Sequence, residues 1–111
     1  MMINEAKLDQ IMLELGFSEV LMGTDYLREA VRQYAAGKTQ IAMEVYPAVA
    51  AKFMTLPQRA ERAMRHSIER AWERGSLAAQ QQYFGWSISA TKGKPTVGEC
   101  IARLARVCRE N

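Results

Sequence analysis

The chain has 111 residues, 49% of them hydrophobic and 24% charged. That balance suits one globular domain around a single core and excludes a disordered tail, a multidomain enzyme and a disulfide scaffold. The net charge of +3 hides a polarity, because residues 1–51 carry −3 and residues 52–111 carry +6. A polyanion would bind the second half, although a dipolar soluble surface accounts for the charge equally well.

No apolar run approaches the roughly 20 residues needed to span a bilayer. Glu5, Asp9 and Glu14 stand where a signal peptide would be apolar, so a cytoplasmic protein with no membrane contact is expected.

In chain order, Leu8, Ile11, Met12 and Leu15 fall on one face of a first helix that Gly16 stops. Leu27, Ala30, Val31 and Tyr34 repeat the spacing in a second, with Thr24 or Asp25 as its N-cap and Gly37 closing it. A short third helix is predicted from Thr39 to about Val45. Pro47 suits the first turn of a fourth that reaches Phe53, with a kink between the two.

Thr55 and Gln58 have capping-box spacing and predict the start of a long fifth helix. It runs to about Arg74, buries Ala60, Met64, Ser67, Ile68, Ala71 and Trp72, and ends at Gly75. Ser76 caps a shorter helix to about Tyr83. Phe84 to Pro95 has no helical period and is the one place where β structure is expected. Thr96 and Glu99 repeat the capping-box spacing before a last helix that buries Ile101, Leu104, Ala105 and Cys108.

The chemistry-bearing residues are few. Cys100 and Cys108 are eight residues apart on one helix, about 12 Å, so they cannot bridge and read as buried thiols with no metal role. Gly37, Lys38 and Thr39 imitate the end of a phosphate-binding loop, but Arg32 stands where the first glycine belongs and no strand precedes it. His66 is the only histidine, and no carboxylate and nucleophile accompany it. The sequence therefore predicts no catalytic site, no metal and no cofactor.

The segment from Tyr46 to Arg74 is different. A short helix rich in alanine is joined by the few residues around Met54 to Leu56 to a long basic helix, the spacing of a helix-turn-helix. On a helical wheel Gln58, Arg59, Arg62, Arg65 and His66 lie opposite Ala60, Met64 and Ile68. Arginine can bond guanine through two nitrogens, and a carboxylate such as Glu61 can accept from the cytosine amino group. A solvated face stitched by pairs among Glu61, Arg65, Glu69 and Glu73 is the rival reading. Lys92 and Lys94, on a loop that leads into a capped helix, suit a DNA phosphate or simply a solvated turn. Arg103, Arg106 and Arg109 line the outer face of the last helix, where water is the usual partner. Trp72 reads as core rather than as a base-stacking platform, and pattern alone leaves Trp86 open.

Several blocks resemble the C-terminal effector domain of the stage-zero sporulation response regulator of Firmicutes. They are Tyr26 to Ala30, Tyr46-Pro47 through Ala50 to Lys52-Phe53, Glu61 to Ala63 with Arg65-His66, Ala71-Trp72 with Arg74-Gly75, Phe84-Gly85, and Thr91-Lys92 with Lys94 to Thr96. The resemblance implies a six-helix fold with a helix-turn-helix and tandem protomers on TGTCGAA-like promoter boxes. By matching position it implies that Arg59, Glu61 and Arg62 meet base edges, while Arg65, His66 and the loop from Lys92 to Lys94 make backbone or adjacent contacts. The chain departs from the family's usual pattern at Met54, Leu56, Pro57, Gln58 and Gly93, which would shift sequence preference while binding survives. Family members carry an N-terminal receiver domain, and no segment of this sequence reads as one.

The reading is an all-α single domain over residues 1–111, a compact bundle of about six helices that binds double-stranded DNA. Homodimers or tandem protomers and a contact with RNA polymerase are the further partners expected. The alternative is a receiverless protein-interaction module that modulates a full-length regulator or the polymerase.

Overall fold

A computed structural model describes residues 2–85 and 93–110. The helices are α1 (Glu5–Leu15), α2 (Met22–Ala35), α3 (Tyr46–Phe53), α4 (Pro57–Arg74), α5 (Leu77–Phe84) and α6 (Val97–Val107), packed within 34 × 31 × 26 Å. The all-α reading holds, with no strand among the described residues. One isolated antiparallel bridge lies elsewhere than expected, between Ile3 and Arg109. Asn4 N–H donates to the Cys108 carbonyl at 2.7 Å beside it. Most of the segment where β structure was expected falls on residues 86–92, outside the described residues.

Local chemistry explains most boundaries. Asn4 caps α1 by accepting from Lys7 N–H at 3.0 Å, and Gly16 closes it in the left-handed conformation, φ 97°. Gly37, φ 117°, turns the chain after α2 in the same way. Ser76 accepts from Ala79 N–H at 3.2 Å and starts α5. Thr96 and Glu99 exchange both bonds of the expected capping box at the start of α6.

Three expectations are corrected. The second helix starts at Met22, not after Thr24 or Asp25, because the Thr24 hydroxyl is spent on the Ser18 carbonyl, 2.6 Å, and on Ser67 Oγ, 3.4 Å. The separate helix predicted from Thr39 is a widened turn, Ile41–Val45, that runs directly into α3. Its bonds reach five residues back, as from Tyr46 N–H to the Ile41 carbonyl. Pro47 accounts for the wide register, since it has no N–H to give and its ring would strike the Met43 carbonyl of a regular helix. The capping box at Thr55 does not form, because Pro57 drives Leu56 into extended backbone, φ −104° and ψ 148°, and Leu56 takes the cap position without a side-chain bond.

The core joins Leu8, Ile11, Met12 and Leu15 of α1 to Leu27 and Val31 of α2, Met64 and Ile68 of α4, Phe84 of α5 and Ile101 and Leu104 of α6. Trp72 packs edge-on to Phe84, ring centroids 5.1 Å apart, and to Phe17 at 6.3 Å, so its expected core role is borne out. Cys100 and Cys108 are buried free thiols, and burial pushes the Cys108 thiol up to about 11.

Two glycines seat α4 by close approach. A methyl group on Gly23 would lie 2.0 Å from the Ala63 carbonyl oxygen, so α2 crosses α4 nearly backbone to backbone. One on Gly75 would lie 1.9 Å from the Leu15 carbonyl oxygen. Gly75 follows α4 in extended backbone, φ −81°, so contact with the end of α1, not a left-handed turn, requires glycine there.

Candidate nucleic-acid interface

The segment joining α3 to α4 is three residues long. Met54 stands in the left-handed region at φ 56° and ψ 46°, a position glycine usually takes, and the residue is 94% exposed. Thr55 N–H donates to the Ala50 carbonyl at 2.9 Å and closes the turn. Val49 and Ala50 are the buried residues of α3, which packs directly on α4.

A buried carboxylate fixes α3 from the other side. Glu29 of α2 accepts from Lys52 Nζ at 2.9 Å, Gln33 Nε2 at 2.7 Å and Arg32 Nη1 at 3.1 Å. Burial alone would raise its pKa, but these donors outweigh the desolvation and hold the carboxyl below its ordinary value. Arg32 extends the network to Glu5 of α1 at 3.0 Å. Arg28 bonds Asp9 at 2.7 Å, Asp25 at 3.2 Å and also Glu19. The acidic first half of the chain thus consumes its own arginines, which leaves the cations of the second half to supply a basic surface.

On α4 the buried stripe is Ala60, Met64, Ser67, Ile68 and Ala71. Gln58, Arg59, Arg62, Arg65 and His66 are all exposed. Arg59, Arg62, Arg65 and His66 line one shallow concavity with Ala63 and Glu69. Gln58 is not among its lining residues, and Glu61, half-buried, lies on the other flank.

That flank is a groove between α4 and the start of α6, lined among others by Glu61, Arg65, Glu69, Lys94 and Pro95. Here the cations are paired. Arg65 Nη2 lies 3.7 Å from Glu61 Oε2, and Lys94 Nζ donates to Glu69 Oε2 at 3.1 Å. Of the pairs considered from sequence, Glu61 with Arg65 forms, whereas Glu69 reaches the loop across 25 positions instead of joining Arg65. Arg59, Arg62 and His66 make no ion pair with any described residue. Lys92 lies outside the described residues.

Tyr46, which helical spacing alone did not single out, is half-buried against the core, within electrostatic reach of Glu61 and Arg65. Burial raises its phenol pKa, the Glu61 carboxylate raises it further and Arg65 opposes that. The first residue of α3 therefore shares an electrostatic neighbourhood with the outer face of α4. Of the three arginines on α6, Arg103 is part-buried and donates to the Tyr83 carbonyl, tying α6 to α5, while Arg106 and Arg109 are exposed.

No group of three His, Cys, Asp or Glu side chains among the described residues is placed to hold a metal. No helix among them is long and apolar enough to cross a membrane.

Residues 8–108 match the family described as sporulation initiation factor Spo0A, C terminal. The chain belongs to this family. The match runs from Leu8, the first buried residue of α1, to Cys108, which caps the end of α6, so α3, α4 and the Lys94 loop all fall inside it. The Spo0A C-terminal family is a DNA-binding transcription-factor family and not an enzyme family, and the chain is accordingly a DNA-binding effector domain of a sporulation regulator.

Proposed function

We propose that α3, the turn from Met54 to Leu56 and α4 form a helix-turn-helix, and that α4 enters the major groove of TGTCGAA-like promoter boxes as the recognition helix. Residues 1–111 then act as one DNA-binding domain, with protomers arranged in tandem on the duplex. Arg59 and Arg62 bond guanine edges, and Glu61 accepts from a cytosine amino group. Gln58, at the exposed first turn, adds a polar contact near the same bases. Arg65, His66 and the loop of Lys92 and Lys94 bond phosphates and set the register.

The observation that carries this reading is the exposed arc opposite the buried stripe, in which Arg59, Arg62 and His66 have no acidic partner among the described residues. An exposed guanidinium with no internal counter-ion is available to a base edge without first breaking a pair. The half-buried Glu61 beside this arc favours base reading over simple charge neutralisation, because a carboxylate weakens contact with any duplex that offers it no donor.

The reading is tested by titrating the protein into a labelled duplex carrying the box and into a scrambled duplex, following anisotropy at several salt concentrations. A preference of about tenfold or more for the box, with affinity falling as salt rises, is expected for sequence-specific binding. Equal, salt-sensitive binding to both duplexes would overturn the base-reading role of α4.

A further inference from the structure

Glu69 lines both the open arc and the neighbouring groove, at the boundary between α4 and the lysine loop. It holds Lys94 at 3.1 Å, and both side chains are substantially exposed, 40% and 46%. Such a pair either positions the lysine or occupies it. The backbone around Lys94 is secured by other means: Pro95 is buried, and the reciprocal cap of Thr96 and Glu99 fixes the start of α6 immediately after it. The loop therefore does not depend on Glu69 for its place.

We infer that Glu69 is an internal counter-ion for Lys94, which a DNA phosphate must displace, so that this carboxylate weakens binding to every duplex and flattens its salt dependence. The inference rests on the proposed phosphate contact of Lys94. When Lys94 turns to a phosphate, one condensed cation leaves the DNA, but the uncovered Glu69 carboxylate attracts a cation in its place. The net release is smaller than for a free lysine. Arg59, Arg62 and His66, which have no such partner among the described residues, are not masked by any of them in this way.

The test is a double-mutant cycle of Glu69→Gln and Lys94→Ala in the full chain, read on box and scrambled duplexes at several salt concentrations. Thermal unfolding of each variant establishes that the fold is kept. Glu69→Gln is expected to tighten binding to both duplexes about two- to fivefold, the range of an exposed ion pair. It is also expected to steepen the log–log salt slope by up to about 0.9. Lys94→Ala should weaken both duplexes, and by a larger factor in the Glu69→Gln background than in the wild type. Glu69→Gln binding as weakly as Lys94→Ala, with no added loss in the double variant, would overturn the inference and make Glu69 a positioning residue. Unchanged affinity and slope for Glu69→Gln, with Lys94→Ala still weakening binding, would also overturn it while leaving the phosphate contact standing. A Lys94→Ala variant that binds like the wild type would overturn that contact and the inference together.

Discussion

Glu29 is the residue on which the acidic and basic halves of the molecule meet. Its side chain is only 6% exposed, yet it stays ionised below the ordinary carboxylate range because Lys52, Gln33 and Arg32 donate to it. A carboxyl with a lowered folded pKa contributes stability above its unfolded value of about 4.5, and the contribution is lost as pH falls through the lower folded value. The urea midpoint of the wild type should therefore drop as the pH falls below about 4.5, and Glu29→Gln should flatten that part of the profile. At neutral pH the same variant should lose about 1–3 kcal/mol, since Lys52 and Arg32 lose their shared counter-ion. An unchanged acid limb in the variant would show that other carboxylates govern it. Nothing in the sequence marks Glu29 for this role: its partner Lys52 is 23 positions away, and a glutamate on an amphipathic helix ordinarily faces water.

At the scale of elements, α4 is placed by backbone contact as much as by side chains. Gly23→Ala is expected to force α2 away from α4, because the new methyl group meets the Ala63 carbonyl and Ser67 Oγ with no flexible end to yield on the backbone side. A loss of about 1–3 kcal/mol, read as a lowered thermal midpoint, is expected for such overpacking. A stability equal to the wild type's would mean that the two helices have room to separate.

The same scale shows which boundaries were legible. Ser76 and the Thr96 and Glu99 pair act as their spacing predicts, because each cap is completed within four residues. Thr24 was misread because its hydroxyl answers to Ser67, 43 positions away. Thr55 was misread because Pro57 moves the cap by one residue, a restriction that residue spacing alone does not weigh.

For the whole molecule, the division of charge along the chain becomes a division of labour in space. The first half pairs its arginines internally through Asp9, Glu5 and Glu29, while α4 in the second half keeps Arg59 and Arg62 unpaired among the described residues. The arc on α4 was legible because a single helix carries it, and 3.6-residue periodicity is enough to separate its faces. The masking of Lys94 by Glu69 and the nearness of Tyr46 to Glu61 and Arg65 were not, since both join elements whose packing no local pattern specifies.

The central claim is that the α4 arc reads bases. It is tested most directly by Arg62→Ala, measured on the box and on a scrambled duplex at one salt concentration. A loss of about 1–3 kcal/mol on the box, with little change on the scrambled duplex, is the predicted result. Equal losses on both would contradict it and reduce Arg62 to a phosphate contact.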